Sequence, residues 1–289
     1  MVKGKISVVL PVHYVNRGWL DRSIKSVLSQ DYRDFELIVV NDMATENIDD
    51  LIKEYGIKKY LKNGRRMRLS FSFNRGFEAA EGEYFSWVAA DDFMLPGMLT
   101  KLAVELVKRP EVAIISGRTK VIDSDGNVVE QKLKKISVAE QYGYKFENDV
   151  LDKRYVIFST ISSCWLLRRQ VWEQTGGFDE NLYGEEDYDF WIRAARDFKI
   201  YRLTYQVDPL YVYRVHAKSI SRTVPYCYSK ARINILKREQ RLFPGEEPIR
   251  KAIAHFKKKQ LLEWKKREIY PRISSLKRKL TRILEAVHE

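Results

Sequence analysis

Short apolar runs alternate with helical patterns over the first part of the chain, and this alternation restricts the possible folds more than any other feature. The runs of strand character are 6–10, 35–40, 68–73 and 84–89. Apolar residues at helical spacing predict helices over 20–28, 48–55 and 74–80. Near-continuous apolar strands joined by helices are typical of a parallel sheet covered on both faces. We therefore predict an α/β fold.

Acidic side chains follow two of these predicted strands. Asp42 comes after the strand at 35–40, and Asp91 and Asp92 come after the strand at 84–89. In a parallel sheet these carboxyl ends lie along one edge, where such folds bind ligands. Two adjacent carboxylates repel each other, and Mg²⁺ or Mn²⁺ would offset that repulsion because both ions prefer oxygen ligands. The other interpretation is a surface turn, in which Asp is common.

The pattern becomes more mixed after Asp92. The predicted strands are 112–116, 119–122, 128–131, 162–167 and 211–216, and the predicted helices are 96–109, 169–175 and 188–198. Asp123–Asn127 has the composition of a hairpin turn. Residues 132–158 show no clear period, and we interpret them as a loop.

Positive charge is concentrated at the end of the chain. The whole sequence carries a net charge of +13. Residues 225–289 contain 18 Lys and Arg against 7 Asp and Glu, so they account for +11 and leave only +2 for the preceding 224 residues. This change in composition predicts a boundary between a nearly neutral domain and a basic extension.

Several classes of protein are disfavoured by what the sequence lacks. No apolar run reaches the roughly 18 residues of a membrane span, and no secretory leader is visible at the start. Cys164 and Cys227 are far apart and lack the spacing of metal ligands, so a structural zinc site is not expected. Neither GxGxxG nor GxxxxGK[ST] occurs, which argues against dinucleotide and P-loop sites. We expect a cytoplasmic protein, with the inner face of the membrane as the second location considered.

Several motifs, taken together, resemble glycosyltransferase family 2, the inverting enzymes with the GT-A fold. They are Ser7–Val12, Ile24–Gln30, Phe35–Asp42, Gly82–Asp92, Gly176–Glu180, Glu186–Trp191 and Tyr213–His216. Each motif is weak alone, but their order over roughly residues 5–222 is specific. The resemblance implies a mainly parallel sheet flanked by helices over 1–222, with a nucleotide-binding half of about 1–92 and an acceptor-binding half of about 93–222. A basic helical extension would follow over 223–289.

The resemblance also implies roles for individual residues. It makes Asp187 the general base, with Glu186 as the next candidate. The implied nucleotide-binding residues are Pro11, Val12, His13, Asp42, Asn74 and Asp91. The implied ligands of Mn²⁺ or Mg²⁺ are Asp92 first, then Asp91 and His216, and Arg214 would contact the diphosphate. Asp42 has a second interpretation as a helix N-cap, and the acids near Asp187 as a favourable first turn of a helix.

The implied reaction moves a sugar from a nucleotide-sugar, a UDP-sugar before others, to a hydroxyl on a glycan, a lipid-linked glycan or a protein. Ala89 and Asn41 stand where the family usually has Asp, and Phe73 stands where it often has Arg. These departures motivate a second hypothesis, a catalytically silent protein that binds nucleotides or glycans. A third hypothesis, a protein that binds nucleic acid through its basic tail, has only the basic charge in its favour.

The basic extension contains two apolar patterns. Ile273, Leu276, Leu280, Ile283 and Val287 form a heptad-like seam, and Ala252, Ile253, Phe256, Leu261 and Trp264 form a rougher stripe. We consider an anionic membrane surface and another helix, in the same chain or in a partner, equally good explanations, and nucleic acid a distant third. In the body, Trp165, Trp172 and Trp191 could stack on a sugar, although core packing is the commoner role of such residues.

Overall fold

The computed structural model describes residues 3–129, 150–151, 156–157, 161–203, 208–220 and 225–265. The chain divides into two compact units, Met1–Thr223 and Val224–Glu289. Most of the loop predicted at 132–158 and the whole seam from Ile273 to Val287 lie outside the described residues. The end of the strand predicted at 128–131 lies outside them as well.

The first unit is built on a mixed, mainly parallel sheet. The strands of the described chain are β1 (Ile6–Val12), β2 (Phe35–Asn41), β3 (Lys59–Lys62), β4 (Tyr84–Trp87), β5 (Phe93–Met94), β6 (Val112–Ser116), β7 (Thr119–Ile122), β8 (Val150–Leu151), β9 (Trp165–Arg168), β10 (Lys199–Arg202) and β11 (Tyr211–Arg214). The large sheet has the order β3-β2-β1-β4-β9-β6-β10-β8. Neighbouring strands are parallel except where β9 pairs with β4 and β6, and where β8 pairs with β10. The predicted α/β fold is confirmed.

Helices cover this sheet and form the second unit. They are α1 (Arg17–Leu28), α2 (Asp49–Glu54), α3 (Arg68–Glu78), α4 (Met98–Val107), α5 (Arg169–Thr175), α6 (Glu186–Ala194), α7 (Pro225–Leu242) and α8 (Glu247–Trp264). Helix α1 begins after Asn16, whose side chain accepts a hydrogen bond from the amide of Trp19 over 3.2 Å.

The core of the first unit centres on β1, in which every residue is buried. Helix α3 packs against this strand and β2 at very short range. A Cβ atom added at Gly76 would lie 2.5 Å from a methyl carbon of Val9 and 3.3 Å from one of Val40. The helix therefore needs glycine at this position, because a larger residue would push α3 away from the sheet.

A second, smaller sheet shapes the edge where the strands end. Its order is β5-β11-β7, with β11 antiparallel to β5 and parallel to β7. Strand β5 follows β4 after a short turn that contains Asp91 and Asp92. The small sheet thereby brings the distant strand β11 next to these two acids.

The strand predicted at 68–73 is wrong. These residues begin helix α3, and the third strand of the sheet is β3, at Lys59–Lys62. The alternation of Leu69, Phe71 and Phe73 with serines imitates the two-residue period of a strand, whereas Ser70 and Ser72 are buried because their small side chains let the helix approach the sheet. Strand β3 was not predicted because it lies at the sheet edge and carries lysines instead of a run of apolar residues. Lysines at such an edge oppose pairing with a strand of another chain.

The second unit contains the helices α7 and α8, which pack against each other. The guanidinium of Arg232 on α7 lies over the ring of Phe256 on α8, 5.4 Å from its centre. Ala252, Ile253 and Phe256 of the predicted stripe are buried, but Leu261 is 49% exposed. The start of the stripe therefore packs within the second unit, whereas its apolar side chain at Leu261 faces solvent. Within the described residues, no helix combines the length and hydropathy needed to cross a membrane.

Candidate active site

The carboxyl ends of β1, β2 and β4 meet at one edge of the large sheet, and the candidate site is built there. Pro11 and Val12 are buried at the end of β1, where they pair with Val40 and Asn41 of β2. The carbonyl oxygen of Val12 accepts the amide of Asp42 over 2.8 Å. These contacts give Pro11 and Val12 a backbone role in forming the crevice.

His13 joins the ends of β1 and β2. Its Nδ1 lies 2.9 Å from the carbonyl oxygen of Asp42 and 3.0 Å from that of Met43. Because a carbonyl oxygen can only accept, Nδ1 carries the proton in this arrangement. The contact holds Met43 in a left-handed conformation (φ +55°), which residues other than glycine rarely adopt.

Asp42 is buried and organises the turn that leads into α3. Its Oδ1 accepts hydrogen bonds from the side chain of Asn63 over 2.8 Å and from the amide of Met67 over 2.6 Å. Its Oδ2 accepts the amide of Arg68 over 2.8 Å. The carboxylate does not serve as the N-cap of α2, whose N-cap is Ile48. Three of the roughly four acceptor positions of this carboxylate are thus occupied by protein donors.

Asp91 and His216 form a close pair at the end of β4. Asp91 Oδ2 lies 2.8 Å from His216 Nε2, and the two side chains are 28% and 7% exposed. The imidazole is held between aromatic rings, with centroids 4.9 Å from Trp19 and 5.8 Å from Tyr14. The amide of Lys218 donates to His216 Nδ1 over 3.3 Å, so Nε2 donates to Asp91 in this arrangement.

These two atoms have the spacing of neighbouring ligands of a divalent ion. To bind one, His216 would move its proton from Nε2 to Nδ1, which would then no longer accept the amide of Lys218. Two adjacent ligands of an octahedral Mg²⁺ or Mn²⁺, each at ~2.1 Å, stand about 3 Å apart. Histidine, cysteine and acidic residues of the described ranges form no cluster of three or more around one point. A pair of protein ligands is nevertheless sufficient for an ion that takes its remaining ligands from substrate phosphates and water.

Asp92, the residue expected first as a metal ligand, is buried beneath the edge of the sheet. Asp92 is 1% exposed, and both oxygens are engaged by strand β11. Oδ1 accepts the amide of Arg214 over 2.7 Å, and Oδ2 accepts the hydroxyl of Tyr211 over 2.9 Å. Burial, together with the nearby charge of Asp91, raises the pKa of Asp92 well above its usual range. Asp92 is therefore much less accessible to a ligand than Asp91, whose side chain is partly exposed.

Arg214 is likewise poorly placed for the predicted contact with a diphosphate. The side chain is 3% exposed, and its Nε donates to the carbonyl oxygen of Asp91 over 3.0 Å. Its Nη1 donates to the carbonyl oxygens of Asp123 and Ser124 over 3.1 and 3.3 Å. Arg214 therefore fixes the turn that carries Asp91, and burial lowers its pKa.

Asn74, expected among the nucleotide-binding residues, contacts the loop that follows Gly176 and Gly177. Its amide nitrogen donates to the carbonyl oxygen of Phe178 over 2.9 Å and to Glu180 over 3.0 Å, and its oxygen accepts the amide of Phe178 over 2.8 Å. A Cβ atom at Gly177 would lie 2.7 Å from that oxygen. The close fit explains why glycine occupies this left-handed position (φ +70°).

Glu186 and Asp187 begin helix α6, and only Asp187 is exposed. Asp187 Oδ1 accepts the amide of Tyr188 over 2.6 Å, and Glu186 Oε2 accepts the amide of Gly184 over 2.6 Å. Burial, with a smaller contribution from the charge of Asp187, raises the pKa of Glu186 to about 7. Of the two candidates, Asp187 can meet a substrate hydroxyl, and Glu186 lies behind it.

The predicted tryptophan surface divides into core and boundary residues. Trp165 and Trp191 are 4% and 1% exposed and pack edge to face with centroids 5.3 Å apart. They belong to the core and cannot stack on a sugar. Trp172 is half-buried and packs beside Phe77 and Phe85. The predicted core role is confirmed for Trp165 and Trp191.

The sequence pattern missed two residues that the structure brings into the site. Tyr211 links Asp92 to the amide of Ala89, over 2.9 and 3.2 Å. Arg68 contacts Asp42 through its backbone and Tyr183 through its side chain. The false strand at 68–73 concealed Arg68, and only its place in an arginine-rich turn could have drawn attention to it.

Comparison with known proteins places the sequence among glycosyltransferases. The sequence profile of Glycosyl transferase family 2 matches residues 7–176. An uncharacterized glycosyltransferase of Methanocaldococcus jannaschii is 28% identical over 205 residues, which cover 69% of this chain and 68% of that protein. An uncharacterized glycosyltransferase of Rickettsia prowazekii is 27% identical over 223 residues, which cover 75% of this chain and 66% of that protein.

Solved structures are similar in fold. S. aureus TarS in complex with UDP-GlcNAc has a TM-score of 0.67 at 19% identity, over 87% of this chain and 71% of that one. A mannosyltransferase from Pyrobaculum calidifontis in complex with GDP-Man and Mn²⁺ has a TM-score of 0.60 at 14% identity, over 98% of this chain and 81% of that one. These similarities confirm the predicted GT-A fold.

Proposed function

The chain belongs to glycosyltransferase family 2, and we propose that it transfers a sugar from a nucleotide-sugar to an acceptor hydroxyl, with inversion at the anomeric carbon. The observation that carries the proposal is the pair of Asp91 and His216 at the same edge of the sheet as Asp42, where parallel strands end. Two proteins of similar fold were solved with UDP-GlcNAc and with GDP-Man. These complexes support a UDP-sugar or GDP-sugar donor, and we place the UDP-sugar first.

Asp91 Oδ2 and His216 Nε2 would hold Mn²⁺ or Mg²⁺. The ion would supply a Lewis acid that neutralises the charge developing on the departing diphosphate. Arg214 and Ser219 would keep this pair in position, because Arg214 holds the backbone of Asp91 and Ser219 accepts the amide of His216 over 3.0 Å.

Asp187 would act as the general base. An inverting reaction in one step needs a group that removes the proton of the acceptor hydroxyl while that oxygen attacks the anomeric carbon. Asp187 is exposed at the start of α6, and such a base contributes typically ~10²–10⁴ in rate. Arg193 supports the presentation of this helix, since it joins Asp189 over 2.8 Å and donates to the carbonyl oxygen of Gly177 over 2.7 Å.

The acceptor is proposed as a class only: a hydroxyl of a glycan, a lipid-linked glycan or a protein. The second unit supports a location at an anionic membrane surface. Leu261 and Leu262 are 49% and 46% exposed on α8, and the exposed residues Lys257, Lys258 and Lys259 lie one turn away. Exposed apolar side chains next to lysines are the features of a helix that lies on a membrane.

The proposal is tested by titrating UDP, GDP and dTDP in the presence and absence of Mn²⁺, followed by calorimetry. We expect wild type to bind one nucleotide in a metal-dependent manner and Asp91→Asn to lose that dependence. Asp92→Asn is the matched control, because an amide can keep the contacts with Arg214 and Tyr211. Failure of wild type to bind any nucleotide would refute the donor site, and loss of binding in Asp92→Asn alone would restore Asp92 as the metal ligand.

Transfer is tested with Asp187→Asn on the same protein preparation. We expect nucleotide affinity to remain within about twofold and the turnover of donor in the presence of acceptor to fall by ~10²–10⁴. Unchanged turnover would refute the assignment of the base. Wild type that binds the nucleotide tightly but transfers no sugar to any acceptor would instead support the silent nucleotide-binding protein.

A further inference from the structure

Arg68 has an unfavourable backbone conformation next to the nucleotide crevice. Its φ of +73° lies in the left-handed region that residues with a Cβ atom rarely adopt. The turn is held by Asp42, which accepts the amides of Met67 and Arg68 over 2.6 and 2.8 Å. Backbone strain of this kind occurs preferentially at ligand-binding sites, where it places a particular side chain.

The side chain of Arg68 extends towards the residues that precede the proposed base. Its guanidinium lies 5.4 Å from the centre of the Tyr183 ring. Tyr183 stands four positions before Asp187 in the same segment. The backbone of Arg68 is therefore at the nucleobase end of the site, and its charged group points towards the sugar end. In a nucleotide-sugar, the diphosphate lies between these two ends.

The charge of Arg68 is available to a ligand. The side chain is exposed, and no acidic side chain of the described residues pairs with it. Arg65 and Arg66 are exposed in the same turn and make the local potential more positive. Arg214, by contrast, uses its guanidinium on three backbone carbonyl groups. The donor site thus has an unused guanidinium at Arg68.

We propose that Arg68 binds the diphosphate of the donor, and this inference rests on the proposed function. A guanidinium can form two parallel hydrogen bonds with phosphate oxygens. Charge-assisted hydrogen bonds of this kind are stronger than a solvent-exposed contact between a cation and an aromatic ring. When the diphosphate binds, the guanidinium therefore leaves the ring of Tyr183 or contacts both the ring and the phosphate oxygens.

The test compares a nucleoside diphosphate with its monophosphate, with Mn²⁺ present throughout. Calorimetry measures UDP against UMP, and GDP against GMP, for wild type, Arg68→Ala and Arg68→Lys. We expect Arg68→Ala to lower the affinity for the diphosphate by about tenfold or more and the affinity for the monophosphate by about threefold or less. Arg68→Lys should recover only part of the loss, because an ammonium group cannot form the paired hydrogen bonds. Arg66→Ala is the matched control and should bind both nucleotides as wild type does.

Arg68→Gly separates a binding role from a purely structural one. Glycine adopts the left-handed conformation without strain, so the unfolding temperature should rise above that of Arg68→Ala and of wild type, while diphosphate affinity falls. Diphosphate affinity at the wild-type level in Arg68→Gly, or equal losses for UDP and UMP, would overturn the inference. If wild type itself binds no nucleoside diphosphate, the proposed function fails first, so the two failures are distinguishable.

Discussion

At each end of the site, two adjacent acids stand in opposite environments. Asp91 is partly exposed and faces His216, whereas Asp92 is buried against β11. Asp187 is exposed, whereas Glu186 is buried and its pKa is raised to about 7. In each pair, burial makes one carboxyl favour its neutral form, whereas its neighbour is more exposed to solvent. The division of roles proposed for the site follows from these differences in solvation.

The raised pKa of Glu186 predicts a stability that depends on pH. The carboxyl is neutral in both states below its ordinary pKa of 4.5, and the native protein resists its ionisation until about pH 7. The free energy of unfolding is therefore highest at low pH with respect to this carboxyl. It falls by on the order of 3 kcal/mol as the pH rises through this window. Glu186→Gln should unfold at a higher temperature than wild type at pH 8, but not at pH 4.5.

Thermal unfolding at the two pH values checks this prediction. Glu111→Gln, which changes an exposed acid, is the control and should show no such difference between the two conditions. A Glu186→Gln variant that is less stable than wild type at pH 8 would contradict the assigned environment of Glu186.

At the scale of elements, the loop between α5 and α6 is held from two sides. Asn74 on α3 contacts it at Phe178 and Glu180. Arg193 on α6 donates to the carbonyl oxygens of Thr175 and Gly177 over 2.5 and 2.7 Å. The loop thus links α3 to α6, and under the proposed function these contacts would position the proposed base relative to the proposed nucleotide site.

Replacing Asn74 should test whether its role is positional. Asn74→Ala leaves the buried amide and carbonyl of Phe178 without their partner, which costs about 1–3 kcal/mol for each buried group. We expect a lower unfolding temperature and lower turnover with nearly unchanged nucleotide affinity. Asn47→Ala, at an exposed position, is the control. Unchanged stability with lost nucleotide affinity would instead place Asn74 in the nucleotide site, as the family resemblance implies.

At the scale of the whole molecule, charge and chemistry are assigned to different units. The acids of the candidate site all belong to the unit Met1–Thr223. Residues 225–289 account for +11 of the net charge of +13. Under the proposed function, the nearly neutral unit would carry out transfer, and the basic unit with its exposed leucines would attach the protein to a membrane.

Attachment is tested with anionic and neutral lipid vesicles and the full chain. We expect co-sedimentation with phosphatidylserine-containing vesicles, weaker binding at high salt, and a loss of several-fold in the double variant Leu261→Ser and Leu262→Ser. The control is the double variant Leu28→Ser and Val107→Ser, which changes exposed apolar residues of the first unit. Equal sedimentation of both double variants would refute a membrane role for α8, and so would removal of residues 225–289 without effect.

Local patterns were sufficient wherever an element is long, apolar or clearly periodic. Strand β2 and helix α5 agree with the predicted 35–40 and 169–175 to within one residue. Strand β3 was missed because it is short, lies at an edge and has little apolar character. Helix α3 was partly misread because buried serines give it a false period of two. Both errors arise where packing against the sheet, and not local preference, decides the conformation.

The sequence by itself determined the α/β class, the strands that end in acids, the family and the separate basic extension, because these follow from composition, period and the order of motifs. Only the tertiary structure decided which acid of each adjacent pair is buried. Asp92 accepts a hydrogen bond from Tyr211, which lies 119 positions away in the sequence. Arg214 donates to carbonyl groups that lie about 90 positions before it. Arg68 is placed by a hydrogen bond to Asp42, 26 positions away. Contacts between residues so distant in sequence leave no local pattern, since they depend on how strands and turns meet in space.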